Sequence, residues 1–126
     1  MISVTFNGEQ QDVSSIEQFG VALDRFDGTS EFELWLSSSE GQSICMLRNG
    51  PRAWLMYLRD GDGDRGFTSQ GDADCIGVTS YKLSNGQVDE YPLSWCIDIE
   101  ECYKALAYFF VNEGDRPIWL SWSERQ

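Results

Sequence analysis

The chain has 126 residues, enough for one domain spanning 1–126 that buries about two thirds of its unfolded surface. A composition of 41% hydrophobic and 13% aromatic residues supplies a packed core and argues against disorder. Nine basic against twenty-one acidic residues leave a net charge of −12 with no histidine, a balance that repels nucleic acid and anionic membranes and points to a basic partner.

No apolar run approaches the roughly 18 residues that span a bilayer. The opening M-I-S-V-T-F-N-G lacks the basic and apolar regions of a signal peptide. The expectation is a cytoplasmic chain in which Cys45, Cys75, Cys96 and Cys102 are reduced. With no C-x-x-C pair and no histidine, the cysteines give little support to zinc.

In chain order, Ile2, Val4 and Phe6 alternate with Ser3 and Thr5 as a half-buried strand, and Asn7-Gly8 marks a turn. Val13, Ile16, Phe19, Leu23 and Phe26 follow at helical spacing, with Asp12 as the expected cap and Asp27-Gly28 as the stop. Phe32, Leu34 and Leu36 alternate with Glu31, Glu33 and Trp35, a second strand. Ile44 to Leu47 is a third, ended by Asn49-Gly50-Pro51, and Ala53 to Leu58 reads as a central strand. Beyond a loop rich in Asp and Gly, Cys75 to Leu83 and Gln87 to Tyr91 flank Ser84-Asn85-Gly86, a hairpin signal because Asn-Gly supplies positive φ angles.

The stretch from Tyr91 to Trp122 carries the strongest local signals. Asp98 and Glu101 stand at capping-box spacing. Ile99, Cys102, Tyr103, Leu106, Phe109 and Phe110 form one face of a helix. Gly114 can end that helix and Pro117 keeps it from resuming. Ile118, Trp119, Leu120 and Trp122 then read as a short aromatic strand suited to a sheet interior. The sum is an α+β fold: an antiparallel sheet of about five to six strands with two helices packed on one face.

The chemistry-bearing stretch is Asp60 to Asp74, D-G-D-G-D-R-G-F-T-S-Q-G-D-A-D. Asp60, Asp62 and Asp64 have the spacing that begins a calcium loop, but Arg65 stands where the turn glycine belongs and Gly71 where the bidentate glutamate belongs. A calcium site, a solvated hairpin loop and an acidic loop that engages a basic protein surface all remain open. The partner-binding candidates are Asp60, Asp62, Asp64, Asp72 and Asp74, joined by Trp35 as an aromatic anchor on the polar phase of its strand. Without histidine, catalysis would fall to carboxylates, tyrosine, lysine or thiol, and no nucleophile elbow, phosphate loop or zinc-protease motif is present. The expectation is no enzyme, no catalytic residue, no metal and no cofactor.

Gly66, Ser69 and Gly71 after a central strand lead into a hairpin, followed by the pair Tyr91-Pro92, an amphipathic helix ending in glycine, and R-P-x-x-x-x-W at Arg116, Pro117 and Trp122. This order resembles the Imm1 family of bacterial immunity proteins over roughly Ala53 to Trp122, while the N-terminal half matches only in its order of elements. The resemblance implies an α+β antitoxin of a polymorphic or contact-dependent toxin system. Such a protein is encoded beside its toxin, often a nucleic-acid deaminase, and neutralises it by blocking the active site or substrate groove. A toxin that handles nucleic acid needs a basic surface, which an acidic inhibitor complements. The resemblance further implies that the motif residues are scaffold rather than contact surface.

Overall fold

A computed structural model describes residues 1–60 and 64–124. Among these residues the elements are β1 (Ile2–Phe6), β2 (Glu9–Gln11), α1 (Ile16–Asp27), β3 (Glu31–Ser38), β4 (Ser43–Asn49), β5 (Arg52–Leu58), β6 (Phe67–Ser69), β7 (Val78–Lys82), β8 (Val88–Pro92), α2 (Ile99–Val111) and β9 (Trp122–Glu124). A 3-10 turn, Leu93–Trp95, precedes α2. The fold is α+β, as expected. Seven strands form an antiparallel sheet in the order β2-β1-β3-β4-β5-β6-β9, and β7 and β8 form a separate two-stranded sheet.

Alternation on β3 decides the layers. Phe32, Leu34 and Leu36 point to one face, where Ile44 and Met46 of β4 and Ala53, Leu55 and Tyr57 of β5 join them. Both helices cover this face. From α1 come Phe19, Ala22, Leu23 and Phe26, and from α2 Cys102, Ala105, Leu106 and Phe109. Phe6 stacks on Phe26 at 4.1 Å and Phe19 on Phe110 at 4.9 Å. Each fully buried Phe or Leu contributes about 2 kcal/mol relative to an exposed one.

The opposite face is covered too. Cys45, Leu47 and Trp54 point there and meet Tyr81, with Trp35, Met56, Leu83, Tyr91 and Trp95 packed around them. The β7-β8 hairpin therefore caps the sheet from the side away from the helices. Polar groups hold it in register: Glu31 and Glu33 accept the backbone amides of Lys82 and Ser84 at 3.1 and 3.0 Å, and Asn49 donates to the Ser80 carbonyl at 2.7 Å.

Three local expectations are corrected. Ser15, not Asp12, caps α1, its hydroxyl accepting the Gln18 amide at 3.1 Å. Asp98 precedes α2 but its side chain makes no cap bond, so the capping box does not form. Ile118, Trp119 and Leu120 are a bend rather than a strand. Pairing begins only at Trp122, and β9 lies at the sheet edge on β6 instead of in the interior. Gly114 ends α2 as expected: it and Glu113 are left-handed (φ 103 and 54), and its amide donates back to the Phe109 carbonyl. The Tyr57 hydroxyl fixes that end to β5 by donating to the Gly114 carbonyl at 2.7 Å.

Candidate functional site

The motif residues converge on β6. Gly66 enters it with φ 76, and a Cβ there would lie 2.6 Å from the Tyr57 carbonyl oxygen. The Ser69 hydroxyl is fully buried, accepts the Leu55 amide at 2.9 Å and donates to the Trp95 carbonyl at 2.8 Å. At Gly71 the backbone donates to the Ser94 carbonyl at 2.8 Å, so close to its neighbour that a Cβ would sit 1.8 Å from the Cys96 carbonyl oxygen. Arg116 lies over the Phe67 ring at 4.1 Å, and the Trp122 indole donates to the Pro117 carbonyl at 2.8 Å. Tyr91 stacks with Trp95 at 5.7 Å. These residues join β5, β6, the 3-10 turn and the 116–122 arc.

β6 also divides the Asp60–Asp74 stretch, which the sequence presents as one loop. Asp60 and Asp64 lie at the β5-β6 turn, near the Leu58 end of β5. Asp72 and Asp74 lie past the other end of β6, where Asp72 shares a groove with Pro51 and Arg52. Asp62 lies outside the described residues. Asp60 is exposed. Asp64 is internal, its side chain 8% exposed. Its carboxylate accepts the Arg59 backbone amide at 2.6 Å, the Arg59 guanidinium at 3.0 Å and the Gly66 amide at 3.2 Å. The Arg59 guanidinium and these amides hold the Asp64 carboxyl well below the usual carboxylate range. Both its oxygens are used within the turn, which leaves a cation little to coordinate there. Asp72 accepts the Asp74 amide at 3.0 Å in a tight turn, and both are exposed. Trp35 is half-buried under the hairpin and donates to Glu33 at 2.9 Å. The four described aspartates and Trp35 are thus spread over several places rather than gathered into one surface.

A groove of about 420 Å³ brings other residues together. Pro51 and Arg52 at the start of β5, Gly71 and Asp72 after β6, Cys96 to Asp98 before α2, Glu101 on its first turn, and Leu120 line it. The Ile97 amide donates to the Ala53 carbonyl at 3.0 Å and fixes the groove floor to the sheet. Among the described lining residues the acids are Asp72, Asp98 and Glu101, and the one base is Arg52. Trp119 stands on the rim, its indole donating to Glu101 at 3.3 Å and its ring edge-on to Tyr108 at 5.2 Å. Lys104 also approaches Glu101, at 3.6 Å. Ile118 beside it is 83% exposed.

The sequence does not display this groove because each residue has a plausible local role, Asp98 and Glu101 as a capping box and Ile118 and Trp119 as a buried strand. The available signal was the run Ile118-Trp119-Leu120, which lacks the alternation of a half-buried strand and follows a proline. Among the described residues no group of three or more metal-ligating side chains gathers, and no helix is long and apolar enough to cross a membrane. The four cysteines are free thiols, and burial pushes Cys45 and Cys102 above the ordinary thiol range.

Neither protein-family models nor curated proteins give a match to this chain.

Proposed function

We propose that this chain is an immunity protein. It binds a cognate bacterial toxin domain that acts on nucleic acid, a deaminase or nuclease, in the cytoplasm of the producing cell, and neutralises it by covering the active site or substrate groove. The observation that carries the reading is the charge of −12 without a single histidine. A nucleic-acid-handling surface is basic by necessity, and an acidic inhibitor is drawn to it at long range and competes with the phosphate backbone. The order of residues that resembles the Imm1 family points the same way, and in the fold those residues serve as scaffold around β6.

The test is co-expression. The basic domain encoded beside this chain is induced in a bacterial host with and without it, and growth is followed. Relief of growth arrest, with a stoichiometric complex on gel filtration that weakens as salt rises, is the expected result. Arrest that persists, with no complex at low salt, overturns the reading.

A further inference from the structure

We infer that the groove beside the start of α2 is the docking surface, and that its occupant is a basic segment of the partner protein whose arginine or lysine enters between Asp72 and Glu101. This rests on the immunity reading and gives it a place on the molecule. The walls and the charge suit that occupant together. Pro51, Ile97 and Leu120 offer apolar surface to the methylene stem of a long basic side chain, while Asp72, Asp98 and Glu101 face its charge. The start of α2 contributes about half a positive charge, and Arg52 and Lys104, which pairs with Glu101 at 3.6 Å, stand against the three carboxylates, so the groove keeps a small negative excess. The Lys104 pair is solvent-exposed and weak enough for an incoming cation to replace. The Asp98 carboxylate is not consumed by the helix, because it makes no cap bond.

The rim supplies what charge alone does not. Ile118 and Trp119 are 83% and 48% exposed, adjacent, and carried on an arc fixed at both ends. Arg116 is seated on Phe67, the Trp122 indole holds the Pro117 carbonyl, and the Gln70 amide donates to the Ser121 carbonyl at 3.0 Å. Two large apolar side chains shown on a held backbone lose little conformational freedom on binding, and tryptophan is among the residue types enriched at energetic anchors of interfaces. The β5-β6 turn has no such combination. There Asp64 is tied to Arg59 and Asp60 stands without an exposed aromatic beside it among the described residues.

The probe is the basic toxin domain of the co-expression experiment, with association and dissociation measured against the full chain. Ile118→Arg and Asp72→Lys are each expected to weaken binding by about tenfold or more, with circular dichroism unchanged because both side chains are exposed. Asp24→Lys on α1 and Asp60→Lys at the β5-β6 turn carry the same change of charge away from the groove, and are expected to stay within about threefold. Groove variants that bind within threefold of wild type, or an Asp60→Lys loss exceeding that of Asp72→Lys, overturn the inference and leave the immunity reading standing. A wild-type chain that does not bind the toxin domain overturns both.

Discussion

The Glu33 carboxylate on β3 accepts the backbone amide of Ser84, fifty-one positions away, at 3.0 Å, and its other oxygen accepts the Trp35 indole at 2.9 Å. A glutamate that alternation assigns to solvent is thus the latch of the β7-β8 hairpin. Glu33→Ala leaves the Ser84 amide and the Trp35 indole without this acceptor. The expected cost is about 2 kcal/mol in urea unfolding. A loss within the scatter of surface substitutions would show that the aromatic cluster alone holds the hairpin.

Acid should loosen two tertiary links. At Asp27 a hydrogen bond from the Tyr103 hydroxyl, then one from Arg48, lowers the carboxyl from its ordinary 3.8. At Glu33 burial acts against the charge, but the bonds from Trp35 and Ser84 outweigh it and the net direction is again downward. Both groups release their proton more readily folded than unfolded, so their contribution is complete above the ordinary carboxylate values and is lost as pH falls through the lower, folded ones. The Tm advantage of wild type over Asp27→Asn and Glu33→Gln should be flat from neutral pH to about pH 5 and shrink below about pH 4. An advantage that grows on acidification would contradict this sign.

Gly71 is required by a close approach rather than by its φ angle. A methyl there would lie 1.8 Å from the Cys96 carbonyl oxygen, backbone that cannot turn aside. Gly71→Ala is expected to cost about 3 kcal/mol or more, as overpacking does when nothing can yield. Gly20→Ala, in open space on α1, should instead stabilise by up to about 1 kcal/mol. Thermal melts of the two variants should move in opposite directions.

Ser69→Ala removes one hydroxyl and strands two backbone groups, the Leu55 amide and the Trp95 carbonyl. An unfolding cost of about 2–4 kcal/mol is expected, since each buried partner is left unsatisfied. Ser69→Thr should keep part of the hydrogen bonding but add a methyl to a fully buried site. Equal stability of Ala and wild type would mean that water replaces the hydroxyl.

Asp64 is a turn-former, so its substitution reports on the scaffold first. The Arg59 and Gly66 amides donate to different oxygens of the carboxylate, so Asp64→Asn keeps an acceptor for only one of them and loses the ion pair, and Asp64→Lys loses both acceptors and the pair. Amide exchange at Arg59 and Gly66 should quicken modestly in the first variant and strongly in the second. Protection that is unchanged in Asp64→Lys would show that the turn holds without its carboxylate.

Helices and long strands were legible because their periods repeat within the element. β3 alternates over eight residues and α2 keeps one apolar face over thirteen. β2, β6 and β9 have three residues each, too few to display any period, and β6 lies inside a run of aspartates and glycines that reads as loop. The Asn85-Gly86 turn signal predicted the β7-β8 hairpin, with its first strand starting at Val78 rather than Cys75, yet a turn signal states only that two strands pair, not which sheet they join. Trp35 shows the same limit: it occupies the polar phase of β3 because that face lies under a second layer whose existence depends on Tyr81 and Tyr91 far along the chain. The groove was hidden for another reason. Its acids and its exposed aromatic come from three separate segments, which the β6 pairing with β5 and β9 and the Ile97–Ala53 and Gly71–Ser94 backbone bonds draw together.

The two-sided sheet divides the fluorophores unevenly. Trp35, Trp54 and Trp95 all belong to the hairpin side, whereas the helix side holds only the edge of Trp122 and the groove rim holds Trp119. Tryptophan emission is therefore weighted toward the hairpin layer and far-ultraviolet ellipticity toward the helix layer. An emission transition that precedes the loss of helical signal would mark the hairpin as a separately opening unit that breathes while the helical layer stays closed.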